Sequence, residues 1–158
     1  TAIKQIKKFK NVITVSTFSK AFGLAGLRIG YLVADSQIIK YLRILKPIYE
    51  INNLNLDLSE FFLRNLKIMK NYTKQVASSR KLFKSKMKEL RYDVYGKYSN
   101  TVLLDLKNEK NLTKVFKYLF KKKILTKKTI FDKKYYLRCT LGDIDSTKKL
   151  IKGINNCR

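Results

Sequence analysis

Histidine and tryptophan are absent from the 158 residues, proline occurs once, and only 11 residues are acidic. The two cysteines are too few for a disulfide framework, so we expect free thiols in a cytoplasmic protein. No apolar run approaches the roughly 20 residues that a membrane-spanning helix needs. The N-terminus lacks the apolar block and the cleavage site of a signal peptide. The composition therefore predicts neither a membrane protein nor a disulfide-rich secreted one, and we expect no metal site.

The basic residues outnumber the acidic ones strongly, and the formal net charge is +25. A charge of this size is typical of proteins that bind nucleic acid or anionic membrane surfaces. However, 29 of the 36 basic residues are lysine, and asparagine and isoleucine are also abundant. This joint bias favours a drift in base composition over a dedicated polyanion site. We therefore expect neither a membrane nor nucleic acid as a partner, and a basic nucleic-acid-binding module is kept as an alternative.

The first part of the chain has the pattern of two strands and a helix. Short apolar and β-branched runs predict strands at residues 11–16 and 28–34. Asp35 then has the character of a helix N-cap, and apolar residues at helical spacing follow as far as Pro47. The segment PIYEINNLN, which begins at Pro47, is neither glycine- nor serine-rich. It therefore predicts an ordered loop rather than a linker.

The rest of the chain begins with a long helical pattern and ends with alternating elements. Helical spacing runs from Leu56 to about Arg91, as one helix or as two joined near Asn71. From Asp93 onward the pattern changes, and it predicts four short strands and two helices, the last of them capped and amphipathic. Such alternation is typical of a small α+β layer.

The segment STFSKAFGLAGLRIGY, residues 16–31, differs from its lysine-rich surroundings, because it holds three of the six glycines but one lysine and one arginine. Lys20 can form a Schiff base with an aldehyde only where its amine loses its proton, in a partly dry pocket. Thr17 and Ser19 flank it with hydroxyl groups, and Arg28 is a charged fork suited to phosphate. Gly23, Ala25 and Gly26 would let the backbone approach a ligand closely. Together these residues predict a site for a cofactor with an aldehyde and a phosphate.

The same segment, TFSKAFGLAGLRIGY, strongly resembles the lysine motif of the pyridoxal-phosphate-dependent fold-type I aminotransferases of class I/II, especially the histidinol-phosphate aminotransferase group. The resemblance implies that Lys20 forms the Schiff base with pyridoxal 5'-phosphate and moves the proton between substrate and cofactor. It also implies that Arg28 holds the cofactor phosphate together with Thr17 or Ser19. The implied fold is α/β: the end of the large-domain sheet, a long connecting helix and a small α+β C-terminal domain.

A second segment, YYLRCTLGD at residues 135–143, resembles the family's C-terminal strand, whose arginine binds the substrate α-carboxylate. Arg138 stands at that position. A lone arginine in an otherwise apolar strand needs an anionic partner, for which a carboxylate is suited, or else it lies on the surface of an edge strand. Cys139 points to the opposite side in a strand, where a buried structural thiol is expected.

The resemblance extends over nearly the whole chain. It implies that residues 1–70 are the C-terminal part of the cofactor-binding large domain and that residues 71–158 are the small domain. The aspartate and the aromatic ring that such enzymes place against the cofactor ring would precede Thr1. We therefore expect the C-terminal part of a homodimeric aminotransferase, which alone is incomplete and inactive. Tyr49 and Asn52 then face the substrate or the partner subunit, or they are surface turn residues.

One departure from the family bears on the substrate. Histidinol-phosphate aminotransferases carry an arginine after an Ile-Leu pair, shortly before the carboxylate arginine, and it grips the substrate phosphate. Here KKKILTKKTI places Thr126 at that position, beside Lys127 and Lys128, and a lysine supplies a charge but no planar fork. The resemblance thus implies an aminotransferase in amino-acid or related biosynthesis, with a small amino donor and a keto acceptor that stays open. A decarboxylase or lyase of the same fold, similar to threonine-phosphate decarboxylase, is the nearest alternative.

Overall fold

The computed structural model describes residues 2–47 and 50–157. They divide into two compact units, Thr1–Tyr72 and Thr73–Arg158. Strands and helices are mixed in both units, as the predicted α/β class requires. Within the described ranges, no helix has both the length and the apolar character that crossing a membrane would take.

The first unit opens with a short 3-10 helix, Ala2–Lys7, and continues into an antiparallel pair of strands. β1 (Thr14–Thr17) pairs with β2 (Gly30–Val33), so both predicted strands are confirmed with shorter bounds. α1 (Ser36–Ile44) follows, and its N-cap is the predicted Asp35, whose carboxylate accepts a hydrogen bond from the Gln37 backbone at 3.1 Å. A 2.7 Å hydrogen bond from Lys10 and this backbone bond together hold the pKa of Asp35 below its ordinary value.

The long helical segment is two helices, α2 (Asn53–Arg64) and α3 (Leu66–Glu89). They join at Asn65, so the predicted joint near Asn71 is wrong, and so is the predicted start at Leu56. The Asn65 side chain donates to the Phe61 carbonyl at 2.8 Å while its backbone leaves helical geometry. Asn52 accepts a hydrogen bond from the Asn55 backbone at 2.8 Å and therefore acts as the N-cap of α2, whereas Tyr49 lies outside the described residues.

The second unit contains a four-stranded antiparallel sheet in the order β3-β4-β6-β5. Two helices complete it, one between β4 and β5 and the other after β6. The bounds are β3 (Val94–Tyr95), β4 (Thr101–Asp105), α4 (Glu109–Lys121), β5 (Lys127–Phe131), β6 (Lys134–Thr140) and α5 (Ile144–Asn155). The predicted α+β alternation after Asp93 is confirmed element by element.

One face of this sheet forms the buried core. Its strands contribute alternate residues, since side chains in a strand point to opposite faces. The fully buried members on the strands are Val102, Leu104, Leu137 and Cys139. Helical residues complete the apolar cluster, among them Phe83, Met87, Leu112, Leu119 and Ile154. Both cysteines are free, and burial raises the pKa of the Cys139 thiol to about 12, which makes it the structural thiol that the sequence predicts.

Candidate active site

The segment that carries Lys20, residues 18–29, connects β1 to β2 and is called the lysine loop. Directly beyond the last ladder pair, Thr17 and Gly30, the backbone N–H of Phe18 donates to the carbonyl of Ile29 at 3.1 Å. Both side chains are buried, and the Phe18 ring contacts the rings of Phe22 and Tyr31 at centroid distances of 4.8 and 5.7 Å. This small aromatic cluster fixes both ends of the loop that carries Lys20.

Two hydroxyl groups meet immediately before Lys20. Thr17 Oγ1 lies 2.8 Å from Ser19 Oγ, and the Ser19 backbone N–H donates to Thr17 Oγ1 at 3.1 Å. The Thr17 hydroxyl also lies 3.4 Å from the Ile29 carbonyl on the facing strand. The side chains of Thr17 and Ser19 are thereby held on the same side of the turn. Sequence reasoning predicted both residues, and the structure brings them together.

Lys20 itself starts a tight turn. Its carbonyl accepts a hydrogen bond from the Gly23 N–H at 3.1 Å, and Gly23 has a φ of 72°, which favours glycine. The Lys20 side chain is exposed. Within residues 2–47 and 50–157, neither a hydrogen bond nor an ion pair engages its amine, and the dry pocket that a Schiff-base lysine needs is not formed. The amine is accessible to an aldehyde from outside the loop.

Arg28 leaves the turn on the side of β2. It follows the 3-10 helix Ala25–Leu27 as its C-cap, with a left-handed φ of 53°, and Nη1 of its guanidinium donates to the Ala25 carbonyl at 3.1 Å. Asn55 of α2 donates to the Leu27 carbonyl at 3.2 Å, so a second element holds this part of the loop. Sequence reasoning missed Asn55, because nothing in its local pattern indicates a contact across 28 residues.

Gly30 is a second residue that sequence reasoning missed. A Cβ added to it would lie 2.6 Å from the backbone oxygen of Ser16, so only glycine lets the two strands approach at this point. Gly26 differs, because a Cβ there would meet no atom within 4 Å. The available signal was an isolated glycine inside an apolar strand pattern, which often marks a close backbone approach.

The donor groups of this loop fit a cofactor that carries a phosphate and an aldehyde. Ser19 follows Phe18 and Arg28 precedes Ile29, so a hydroxyl and a guanidinium lie just beyond the same end of the β1–β2 pair. Residues 16–31 contain no carboxylate that would repel an anion. Lys20 adds the one amine of the segment. The residues therefore fit pyridoxal phosphate by their chemistry, with the cations and hydroxyls on one loop.

Arg138 lies in the second unit, on the exposed face of β6. Its ladder neighbours are Leu103 on β4 and Lys127 on β5, and the adjacent Leu137 and Cys139 point into the core. The predicted burial of Cys139 on the opposite side is thus confirmed. Arg138 is exposed, and among the described residues no hydrogen bond or ion pair occupies its guanidinium. This guanidinium is free to donate hydrogen bonds to a carboxylate from solution.

The register separates the two lysines beside Thr126. Lys127 is directly opposite Arg138, so both side chains share one face of the sheet. Lys128 points to the other face, where its Nζ lies 3.3 Å from Thr113 Oγ1 and 5.4 Å from the centre of the Phe116 ring. Thr126 Oγ1 is buried without a hydrogen-bond partner in the described structure. Lys127 is therefore the cation placed beside Arg138, a distinction that spacing alone did not make.

No group of three or more histidine, cysteine, aspartate or glutamate residues in the described ranges is arranged to hold a metal ion.

Comparisons with known proteins agree on the family. The family model described as "Aminotransferase class I and II" matches residues 1–154. The histidinol-phosphate aminotransferase of Sulfurimonas denitrificans is 30% identical over 147 residues, which are 93% of this chain and 40% of that protein. The chain thus spans about 40% of the length of this curated relative.

Two solved structures share the fold. The histidinol-phosphate aminotransferase from Sinorhizobium meliloti, solved in complex with pyridoxal-5'-phosphate, matches 99% of this chain and 44% of its own, with a TM-score of 0.78 and 19% identity. The L-threonine-O-3-phosphate decarboxylase from Porphyromonas gingivalis matches 98% of this chain and 49% of its own, with a TM-score of 0.74 and 22% identity. The predicted fold class is thereby confirmed. The chain belongs to the class I and II aminotransferase family.

Proposed function

We propose that this chain is part of a cytoplasmic, homodimeric, pyridoxal-phosphate-dependent aminotransferase that transfers an amino group from a small donor to a keto acceptor. Residues 1–70 belong to its cofactor-binding domain and residues 71–158 to its small domain. The observation that carries the proposal is the lysine loop, in which the hydroxyls of Thr17 and Ser19 meet just before Lys20 and Arg28 ends the loop just before β2.

Bound pyridoxal phosphate would supply an electron sink for negative charge at the substrate α-carbon. Lys20 holds the cofactor through its amine, and once released it carries the proton at that carbon. Arg28 binds the phosphate as a charged fork, and the Thr17 and Ser19 hydroxyls add hydrogen bonds. The hydrogen bond from Asn55 to the Leu27 carbonyl orients the arginine.

Arg138 binds the substrate α-carboxylate through two parallel hydrogen bonds, for which its planar guanidinium is suited. Lys127 supports a second anionic group on the substrate, because it lies directly opposite Arg138 on the same face of the sheet. A phosphate or a second carboxylate has the required charge. This arrangement favours a dianionic substrate, and a phosphorylated amino acid remains one of the candidate substrates.

The cofactor part of the proposal is tested by labelling. The product of the complete gene is incubated with pyridoxal phosphate, reduced with borohydride and digested, and each modified lysine is quantified by mass spectrometry. We expect modification concentrated at Lys20 and abolished in Lys20→Ala. Lys128→Ala is the control and should label like the wild type. Modification spread evenly over many lysines would contradict the role of Lys20.

The substrate part is tested by kinetics on amino acids with and without a second anionic group. Lys127→Ala should raise KM for the dianionic substrate about tenfold or more, since a charge-assisted hydrogen bond is lost. Lys128→Ala removes the same charge from the other face and should leave KM unchanged. Equal effects of the two variants would refute the assignment of Lys127. Release of carbon dioxide instead of a keto acid would identify the decarboxylase alternative.

A further inference from the structure

The outer face of α4 carries a straight row of lysines. Lys110, Lys114, Lys117 and Lys121 recur every three or four residues, and all four are exposed. The buried residues of the helix, Leu112, Val115 and Leu119, lie on its opposite side. At 1.5 Å per residue the row extends for about 16 Å. The helix therefore presents one continuous basic ridge away from the core.

Large apolar side chains are exposed beside this ridge. Phe120 is 61% exposed and stacks on Phe116 at 6.3 Å, and Ile130 on the adjacent edge strand is 59% exposed. Lys128 joins the two elements through its contacts with Thr113 and the Phe116 ring. We call Lys110, Lys114, Lys117, Lys121, Lys128, Phe120 and Ile130 the α4 basic face. This face therefore presents positively charged lysines next to solvent-exposed apolar side chains, whose burial would be favourable.

The charge on three lysines of this face is not balanced locally. Residues 110–131 contain eight lysines and no acidic residue. No carboxylate in the described structure pairs with Lys110, Lys117 or Lys121, whereas Lys148 on α5 pairs with Asp145 and Lys86 on α3 pairs with Glu89. Drift toward lysine accounts for the number of cations. It does not account for the exposed ring of Phe120 beside them.

We propose that the α4 basic face binds the surface of an anionic phospholipid bilayer. Lysines on such a surface meet the lipid phosphates, and neighbouring aromatic and aliphatic side chains enter the boundary between headgroups and acyl chains. Nucleic acid fits less well. The segment has no arginine for bidentate recognition, and of the two exposed apolar side chains only Phe120 offers a ring on which a base could stack. The contact is peripheral, and within the second unit α4 packs on the face of the sheet opposite to Arg138.

The first experiment compares two triple variants of equal charge by vesicle co-sedimentation. In the α4 variant, three lysines are replaced by glutamine: Lys110, Lys117 and Lys121. In the α3 variant, the same replacement is made at three exposed lysines that lie in line on α3: Lys74, Lys81 and Lys88. The described part of α3 after Tyr72 exposes no large apolar side chain. On vesicles of phosphatidylserine and phosphatidylcholine, the α4 variant should bind about a hundredfold more weakly, and the α3 variant should change less than about fivefold. If the two variants lost vesicle binding equally, the binding would depend only on net charge, and the proposal would be overturned.

The second experiment reports insertion directly, because residues 1–158 contain no tryptophan that would add to the emission of a new indole. In Phe120→Trp the single indole should shift its emission to the blue on phosphatidylserine-containing vesicles and not on pure phosphatidylcholine. Tyr98→Trp places the reporter at another exposed position, 83% exposed and near the opposite edge strand, and should show no shift. An unshifted Phe120→Trp would overturn the proposal. So would binding of single-stranded nucleic acid that is tighter than binding of vesicles and is lost in the α4 variant.

Discussion

The two units differ in how their residues are held. In Thr1–Tyr72 the buried residues among those described are Phe18, Ile29 and Ser59. In Thr73–Arg158 a continuous apolar cluster runs from Phe83 to Cys157. The first unit depends on ladder and turn hydrogen bonds around the lysine loop, whereas the second is stabilised by packing. Burial of apolar surface is the main source of stability, so the second unit should be the more stable of the two.

This difference also separates the two groups of predicted site residues. Lys20 and Arg28 belong to the unit with little internal burial, on a loop whose geometry is set by hydrogen bonds and one glycine contact. Arg138 belongs to a central strand of the packed sheet, whose alternate residues are fully buried. A loop can adapt to a cofactor, while a strand in a packed sheet holds its side chain in one place.

The largest expected effect comes from removing core volume in the second unit. Leu104 is fully buried, so Leu104→Ala should lower the free energy of unfolding by about 2–5 kcal/mol. Val15 in the first unit is 79% exposed, and Val15→Ala should change it by less than about 0.5 kcal/mol. Urea denaturation measures both. Similar losses in the two variants would contradict the contrast between the units.

A smaller effect is expected at the strand contact of the first unit. Gly30→Ala should cost about 1–3 kcal/mol, because the new Cβ would lie 2.6 Å from the Ser16 carbonyl oxygen and must push β1 from β2. Hydrogen exchange should accelerate in residues 14–33 and stay unchanged in β4 and β6. Gly26→Ala is the matched control, since its Cβ meets open space, and equal exchange in the two variants would show that the contact is unimportant.

Because the Cys139 thiol is buried, the stability of the second unit should change with pH in the alkaline range. Cys139 has a folded pKa of about 12 against an ordinary value of 9.0. As the pH rises, the Cys139 thiol therefore loses its proton in the unfolded chain before it does so in the folded one. Its contribution to the free energy of unfolding is complete below pH 9 and declines until about pH 12. The slope is about 1.4 kcal/mol per pH unit in this window. The difference in unfolding free energy between wild type and Cys139→Ala should show this slope, and a flat difference from pH 9 upward would contradict the burial.

The smallest effect is a gain at the end of α4. Lys123 has a left-handed φ of 57°, and the Ile124 N–H donates to the Leu119 carbonyl at 2.9 Å, which is the usual geometry of a helix end with glycine. Lys123→Gly should stabilise the second unit by about 1 kcal/mol, since glycine has no steric penalty there. Lys122→Gly, at a φ of −86°, should not stabilise it. Thermal unfolding distinguishes the two, and a lower midpoint for Lys123→Gly would count against the helix-end interpretation.

Several elements were predictable because their signals are local. Asp35 and Asp143 precede apolar helical spacing, and each accepts a backbone hydrogen bond as an N-cap. The alternation around Arg138 correctly indicated that Cys139 is buried. The joint between α2 and α3 was misplaced, because both Asn65 and Asn71 are compatible with the same helical pattern. The side-chain bond of Asn65 to Phe61 selects between them, and only the folded helix shows it.

By itself the sequence determined the order of strands and helices, the lysine loop with its hydroxyls and arginine, and the family. The order of the elements and the character of the loop follow from spacing and residue type, which act over a few neighbouring positions, and the family follows from the resemblance of the lysine motif. Only the tertiary structure decided that Gly30 is needed for strand contact, that Asn55 holds the Arg28 loop and that Lys127 rather than Lys128 lies beside Arg138. Each of these depends on two segments distant in the chain meeting in a particular register, and register is set by the packing of the whole unit.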